Sequence, residues 1–167
     1  MKVLDNLIII ATIGMNNEYR KDNNPIWQIR EDLIFFEEMT RGKNIIMGKK
    51  TLETMPIKFL EGRNLFVLSN KGLDYFYDVN CFSSIENIVK YIQGSNKEFV
   101  VVGGPKIWKE LMPYAATMYL TQIQEYAPAD TYFPEFDPKD WEIGLLANYW
   151  NGDIPYLRKK YEKIKGR

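Results

Sequence analysis

Residues 29–40 read "IREDLIFFEEMT", and one of their four carboxylates is out of place. Turned at about 100° per residue, a helix here gathers Ile29, Leu33, Phe36, Met39 and Thr40 into one sector. Glu31 and Glu38 fall on the opposite side and Glu37 at the margin, as ordinary solvated charge. Asp32 falls between Phe36 and Met39, on the apolar face. An aspartate in a first turn can serve the free backbone N–H groups of the helix start, which would explain it without any ligand. The other reading is a carboxylate in an apolar pocket, which must be matched by donors because an unpaired buried charge is very unfavourable. No Lys or Arg stands three or four residues away to pair with it along the helix. Two adjacent N–H donors on a ligand, an amidine- or guanidine-like edge, would engage both oxygens. That chemistry points to a nitrogen heterocycle.

A second set of residues suits an anion. "VVVGGPKIW" (100–108) is an apolar run, two glycines and a helix start with Pro105 as its first residue. Such a turn lets the backbone approach a phosphate closely and presents free N–H groups. "IIMGKKT" (45–51) repeats the plan with Lys49, Lys50 and Thr51, and "VLSNKG" (67–72) adds Ser69, Asn70 and Lys71. Each alone could be a solvated turn, and none has the G-x-G-x-x-G spacing of a dinucleotide fingerprint. Together they describe a crevice at the carboxyl edge of a parallel sheet, where open α/β folds bind ligands. Two separate lysine-bearing strand ends suit a dinucleotide with an additional phosphate.

The elements that position these residues follow from the apolar pattern. Runs at 6–12, 43–48, 63–69, 98–104 and 117–123 are apolar almost throughout, as strands covered on both faces are. Helical patterns fall between them at 30–41, 49–55, 84–92 and 105–112, the third with Ser84 as its N-cap. After Pro128 the pattern alternates, and "NGD" (151–153) reads as a hairpin turn. One α/β domain over residues 1–167 is expected, with a mostly parallel sheet finished by an antiparallel hairpin.

Composition excludes several function classes. The 167 residues carry no net charge, so there is no basic field to hold nucleic acid or an anionic membrane. No segment reaches the roughly 18 apolar residues of a membrane span, and the run after Asn6 reads as a buried first strand. One cysteine allows no internal disulfide and no cysteine-rich zinc site, and no metal is expected. A reducing cytoplasm fits. With no histidine, Ser-His-Asp and Cys-His nucleophiles are out. Acid–base work falls to Asp, Glu, Tyr, Lys or water, or a cofactor carries the hard step.

The chain resembles the dihydrofolate reductase family along nearly its full length. "IIIATIG", Trp27 followed by "QIREDLIFF", "NIIMGKKTLETM", "GRNLFVLSN", "VVVGGPKIW", "LMPYAATMYLTQI" and "ADTYFPEFDPKDW" carry the resemblance by their order and spacing. It implies an eight-stranded, mainly parallel sheet with an antiparallel C-terminal strand and about four flanking helices. It implies NADPH-dependent reduction of 7,8-dihydrofolate, with hydride to C6 and a proton from water to N5, in service of one-carbon metabolism. Asp32 would be the catalytic carboxylate holding the pterin, and its partner would be the pterin instead of another side chain. Trp27 would stand beside it, and Thr121 would join through a water. Ile10, Ala11, Leu33, Phe36, Met55, Phe59 or Leu60, and Val102 would wall the substrate, with Trp108 adjoining. Arg63 would pair with the substrate's glutamate carboxylate. Toward NADPH, the resemblance places Thr12, Tyr19, Arg20, Lys49, Lys50, Thr51, Leu68, Ser69, Asn70, Lys71 and Val102. It adds Gly103 and Gly104, joined by a cis peptide, then Pro105, Lys106, Ile107, Trp108 and Thr131. A monomer is expected.

This chain departs from the family's pattern in places. Tyr19-Arg20 stands where the loop after the first strand usually has Ile-Gly, and Ile26 precedes Trp27 where proline is usual. Lys49 replaces a frequent arginine, Leu52 a tryptophan and Trp108 a tyrosine, and Pro105 follows the glycine pair. Loop closure and product release depend on such positions, and the resemblance does not by itself imply ordinary sensitivity to diaminopyrimidine inhibitors. Two alternatives fit the fold: a pyrimidine reductase of riboflavin synthesis, and a non-catalytic NADPH-binding module.

Overall fold

The computed structural model describes residues 2–70, 78–150 and 154–166. The chain runs β1 (Leu4–Ile13), β2 (Glu18–Lys21), β3 (Asn24–Pro25), α1 (Arg30–Thr40), β4 (Asn44–Gly48), α2 (Lys49–Thr54), β5 (Asn64–Leu68), β6 (Val79–Phe82), α3 (Ile85–Gln93), β7 (Phe99–Gly103), α4 (Pro105–Leu111), β8 (Ala115–Ile123), β9 (Thr131–Tyr132), β10 (Trp141–Tyr149) and β11 (Tyr156–Lys163). All five expected strands and all four expected helices are present, with ends within a residue or two.

The main sheet has eight strands in the order β10-β11-β8-β1-β7-β4-β5-β6. From β8 to β6 every pairing is parallel, and β11 is antiparallel to both of its neighbours. The hairpin turn expected at 151–153, like Lys71, lies outside the described residues. A second sheet, β3-β2-β9, was not foreseen. Its strands, "NP", "EYRK" and "TY", are too short and polar to carry a strand period. The edge strand β6 was also missed, because four half-exposed residues give no apolar run.

The sheet separates two apolar clusters, and β1 shows how. Leu7, Ile9, Ala11 and Ile13 enter the cluster with Ile88 and Ile92 of α3 and Ile107 and Leu111 of α4. Ile8 and Ile10 enter the other cluster, against Phe35, Phe36 and Met39 of α1. This is the two-residue period of a strand covered on both faces. From Ile8 onward, past the register irregularity between Leu4 and Ile8, even-numbered side chains of β1 therefore face α1, and Thr12 is the next of them.

On α1 Leu33, expected on the buried face, is exposed. The buried face is centred on Asp32 and Met39, with Phe35 and Phe36 on either side. Phe35 was not expected there. It packs edge-on against Tyr119 of β8 at 5.9 Å. Ile29 at the helix start makes no side-chain cap, and among the described residues the side-chain hydrogen bonds of Asp32 run to the sheet and not to the first turn.

Candidate active site

Asp32 stands over a single lateral rung of the sheet. Thr12 of β1 is in register with Thr121 of β8, and Thr121 is in register with Arg158 of β11. All three side chains reach the α1 side. The Thr12 hydroxyl donates to Asp32 Oδ2. The Thr121 hydroxyl donates to Oδ1 at 2.7 Å, and Arg158 Nη2 donates to the same Oδ1 at 3.1 Å. Arg158 Nε donates in turn to Thr121 Oγ1 at 3.1 Å. The Asp32 and Arg158 side chains retain 15% and 9% exposure, so the pair is largely removed from water. The guanidinium also lies 4.1 Å from the Phe35 ring centre and 5.3 Å from that of Tyr156.

Three expectations change here. Asp32 does have a side-chain partner, from a strand 126 residues away. Thr121 contacts Asp32 directly, without a water between them. Thr12, expected to face the cofactor, directs its hydroxyl to the carboxylate. Arg158 was missed altogether. In "YLRKKYEK" the inward and outward positions are both rich in cations, so alternation carries no contrast from which to pick it out.

Around this centre Ile10, Val102 and Leu60 are buried in the α1-side cluster, with Phe36 and Met55 packed against it. Phe59 meets Phe36 edge-on at 5.6 Å. The chain thus uses both residues of the "FL" pair. Ala11 belongs to the opposite cluster, so only its backbone can face the pocket. Trp27 donates from Nε1 to Glu125 Oε2 at 3.1 Å. Arg63 braces the end of α1: Nε reaches Thr40 Oγ1 at 3.2 Å, Nη2 reaches the Glu37 carbonyl at 3.1 Å, and Nη1 reaches the Glu61 carbonyl at 2.8 Å. Three of its five N–H donors are thereby engaged. Burial draws its pKa down from the ordinary value, against the opposing charge of Glu37.

A cleft of about 760 Å³ opens beside this pocket, along the carboxyl ends of β4, β5 and β7. Of the residues expected to face a cofactor, Tyr19, Arg20, Lys49, Lys50, Thr51, Leu68, Ser69, Asn70, Gly104, Pro105, Lys106, Ile107 and Thr131 line it. Gly48, ahead of the lysine pair, lines it too, and Ser83, Ser84, Ile85 and Glu86 line it without having been expected there. Ser84 was read as the N-cap of α3, and it accepts from the Asn87 N–H at 3.2 Å, but nothing local in "SSIE" ties that cap to a ligand site. Gly103 and Gly104 are joined by a cis peptide. Gly103 has φ +135°, and a Cβ there would meet Trp108 Cζ2 at 3.4 Å, Tyr19 Oη at 3.5 Å and Thr51 Oγ1 at 3.6 Å. Only glycine suits that position.

Trp108 is not at the surface of the cleft. It is 1% exposed, its indole N–H donates to the Val101 carbonyl at 3.3 Å, and its ring packs on Tyr19 and Phe133. Its expected contacts with substrate and cofactor are replaced by a core role that carries Tyr19. Burial pushes the Tyr19 hydroxyl's pKa up, against the pull of the Arg20 cation. Arg20 Nη1 donates to Thr54 Oγ1 at 3.2 Å, while its buried Nε has no hydrogen-bond partner among the described residues.

The comparisons with known proteins agree with this fold. The family model described as dihydrofolate reductase matches residues 6–153, a span that stops short of Arg158. A dihydrofolate reductase of Haemophilus influenzae is 36% identical over 136 residues, 81% of this chain and 82% of that one. One from Buchnera aphidicola is 35% identical over 160 residues, 96% of this chain and 91% of that one. Among solved structures, dihydrofolate reductase from Enterococcus faecalis, complexed with NADP(H) and RAB-propyl, superposes with a TM-score of 0.81 at 26% identity. That match covers 98% of this chain and 99% of the other. By its fold, the order of its motifs and these relatives, the chain belongs to the dihydrofolate reductase family.

Proposed function

We propose that this chain reduces 7,8-dihydrofolate to 5,6,7,8-tetrahydrofolate with NADPH as reductant, supplying one-carbon metabolism. The observation that carries the reading is Asp32: a largely buried carboxylate, set by α1 over hydroxyls of β1 and β8, beside a basic cleft. The pterin's 2-amino group and adjacent ring N–H are the paired donors that a carboxylate takes with both oxygens. Ile10, Phe36, Met55, Leu60 and Val102 supply apolar walls for the pterin and benzoyl rings. Arg63 keeps two N–H donors for the substrate's carboxylate.

The cleft residues fit the cofactor. Lys49, Lys50, Lys106 and Arg20 provide positive charge, and Arg20 Nε is a buried donor lacking an acceptor among the described residues. The Gly103 position keeps the backbone bare, so that a phosphate can approach it. When bound, NADPH supplies the hydride for C6. Asp32 holds the pterin in place, and the proton for N5 comes from water, in keeping with a site that has no histidine. No helix among the described residues is long and apolar enough to cross a membrane. A cytoplasmic monomer is part of the proposal.

The test is an assay of NADPH oxidation, followed as loss of the reduced nicotinamide's absorbance, with and without dihydrofolate. Oxidation should require dihydrofolate. Asp32→Asn should lower turnover by about 10² or more, with NADPH affinity nearly unchanged. NADPH binding without any dihydrofolate-dependent oxidation would leave a non-catalytic module in its place.

A further inference from the structure

The carboxylate that is to receive the pterin is already occupied, and counting its lone pairs shows the consequence. An ionised carboxylate offers about four acceptor sites, two on each oxygen. Oδ1 of Asp32 takes Thr121 and Arg158, and Oδ2 takes Thr12. A ligand with two parallel N–H donors needs one site on each oxygen. Oδ2 has one to give, and Oδ1 has none. One donor on Oδ1 must yield when such a ligand enters.

Arg158 can yield that contact and stay where it is. Its Nε bond to Thr121 and its stacking on Phe35 and Tyr156 do not depend on Asp32. The guanidinium charge therefore remains beside the carboxylate with a ligand in place. A neutral ligand still finds an acceptor there. A cationic ligand finds a carboxylate whose charge is already balanced, and a like charge close by in a partly dehydrated site.

We propose that Arg158 is a specificity-determining residue of the pterin pocket, selecting neutral 2-amino-4-oxo heterocycles over protonated 2,4-diamino ones. This rests on the reading of Asp32 as the pterin's partner, and the experiment separates the two. Trimethoprim, in slightly acidic buffer where its diaminopyrimidine is protonated, is the cationic probe. Dihydrofolate is the neutral one. Binding of the first and KM of the second are measured for the parent protein and for Arg158→Gln, Arg158→Met and Arg158→Lys.

Gln and Met remove the charge, and Gln keeps an amide donor for Thr121. Both should bind trimethoprim at least about tenfold more tightly, a change equal to about 1.4 kcal/mol. The dihydrofolate KM should change by a factor at least about threefold smaller than the change in trimethoprim binding, because it loses only a neutral contact. Lys keeps the charge and should leave trimethoprim binding within about threefold of the parent. Equal changes for the two probes, or weaker trimethoprim binding in the neutral variants, overturn the proposal. If both neutral variants fail to fold, Arg158→Lys decides, because tight trimethoprim binding with the charge retained overturns it too. An inactive parent protein would instead remove the underlying reading and the proposal with it. An active parent with an unchanged probe ratio removes the proposal alone.

Discussion

Replacing Thr121 by valine exchanges one hydroxyl for a methyl and keeps the shape of the side chain. The oxygen removed is the hub of the rung: it donates to Asp32 Oδ1 at 2.7 Å and accepts from Arg158 Nε at 3.1 Å. Thr121 is 2% exposed, so water cannot readily replace it on the Arg158 side. Hydrogen bonds to charged groups are each worth about 1.5–3 kcal/mol. The two share an atom and cannot be summed in full, and the residual exposure of Asp32 lets solvent recover part of one. A loss of about 2–3 kcal/mol is expected. For 167 residues at about 2.1 cal/mol/K each, the unfolding entropy is near 0.35 kcal/mol/K, so Tm should fall by about 6–9 °C. Thermal unfolding followed by circular dichroism measures this. A double-mutant cycle with Arg158→Met isolates the cause: without the guanidinium, Thr121→Val should cost about 1 kcal/mol less. A single-variant Tm within about 1 °C of the parent, or strictly additive effects, would refute the hub.

Arg63→Ala should weaken dihydrofolate far more than a pterin fragment lacking the glutamate, as read from KM and inhibition constants; equal effects would show that the arginine only braces α1. Gly14→Ala should destabilise the protein by about 2 kcal/mol or more, because the new methyl would lie 2.5 Å from Trp27 Cη2 and 2.6 Å from Glu18 Oε1. Glu18 cannot move aside freely, since it accepts from the Asn16 and Ala127 N–H groups at 2.6 and 2.8 Å. Denaturant titration checks this, and an unchanged midpoint would contradict the packing. Stability should fall in alkali. Burial raises the hydroxyl pKa of Tyr19, Tyr156 and Tyr161 above the ordinary 10.0. The neutral forms thus stabilise the fold fully below about pH 10, and that contribution is lost as pH rises through the folded-state values. Tm measured across this range, with Tyr161→Phe blunting the fall, tests the sign.

The strands were legible because burial on both faces leaves runs such as "LIII" and "FVVV" that few other structures permit. Asp32 was legible because a charge on an apolar helical face breaks a pattern. Its surroundings were not. Leu33 lies at one edge of the apolar helical sector and Phe35 just beyond the other, and only the sheet beneath α1 decides which edge is covered. Arg158 was hidden for two reasons: it lies on β11, distant in sequence from α1, and its neighbours Lys159 and Lys160 carry the same charge. The roles of Thr12 and Thr121 depend on register between β1 and β8, which no local pattern specifies. Trp108 was misplaced because a helix-start residue beside a glycine pair can turn either to the cleft or to the core.

The rung beneath Asp32 has a consequence for biosynthesis. Ribosomes make β1 first, β8 much later and β11 later still, so the carboxylate gains its hydroxyls before its counter-ion. A nascent chain with β8 docked but β11 still in the exit tunnel holds an uncompensated charge against an apolar helix face. That intermediate should hold α1 loosely until β11 slides in beside β8, which makes the docking of this strand the step that closes the pocket.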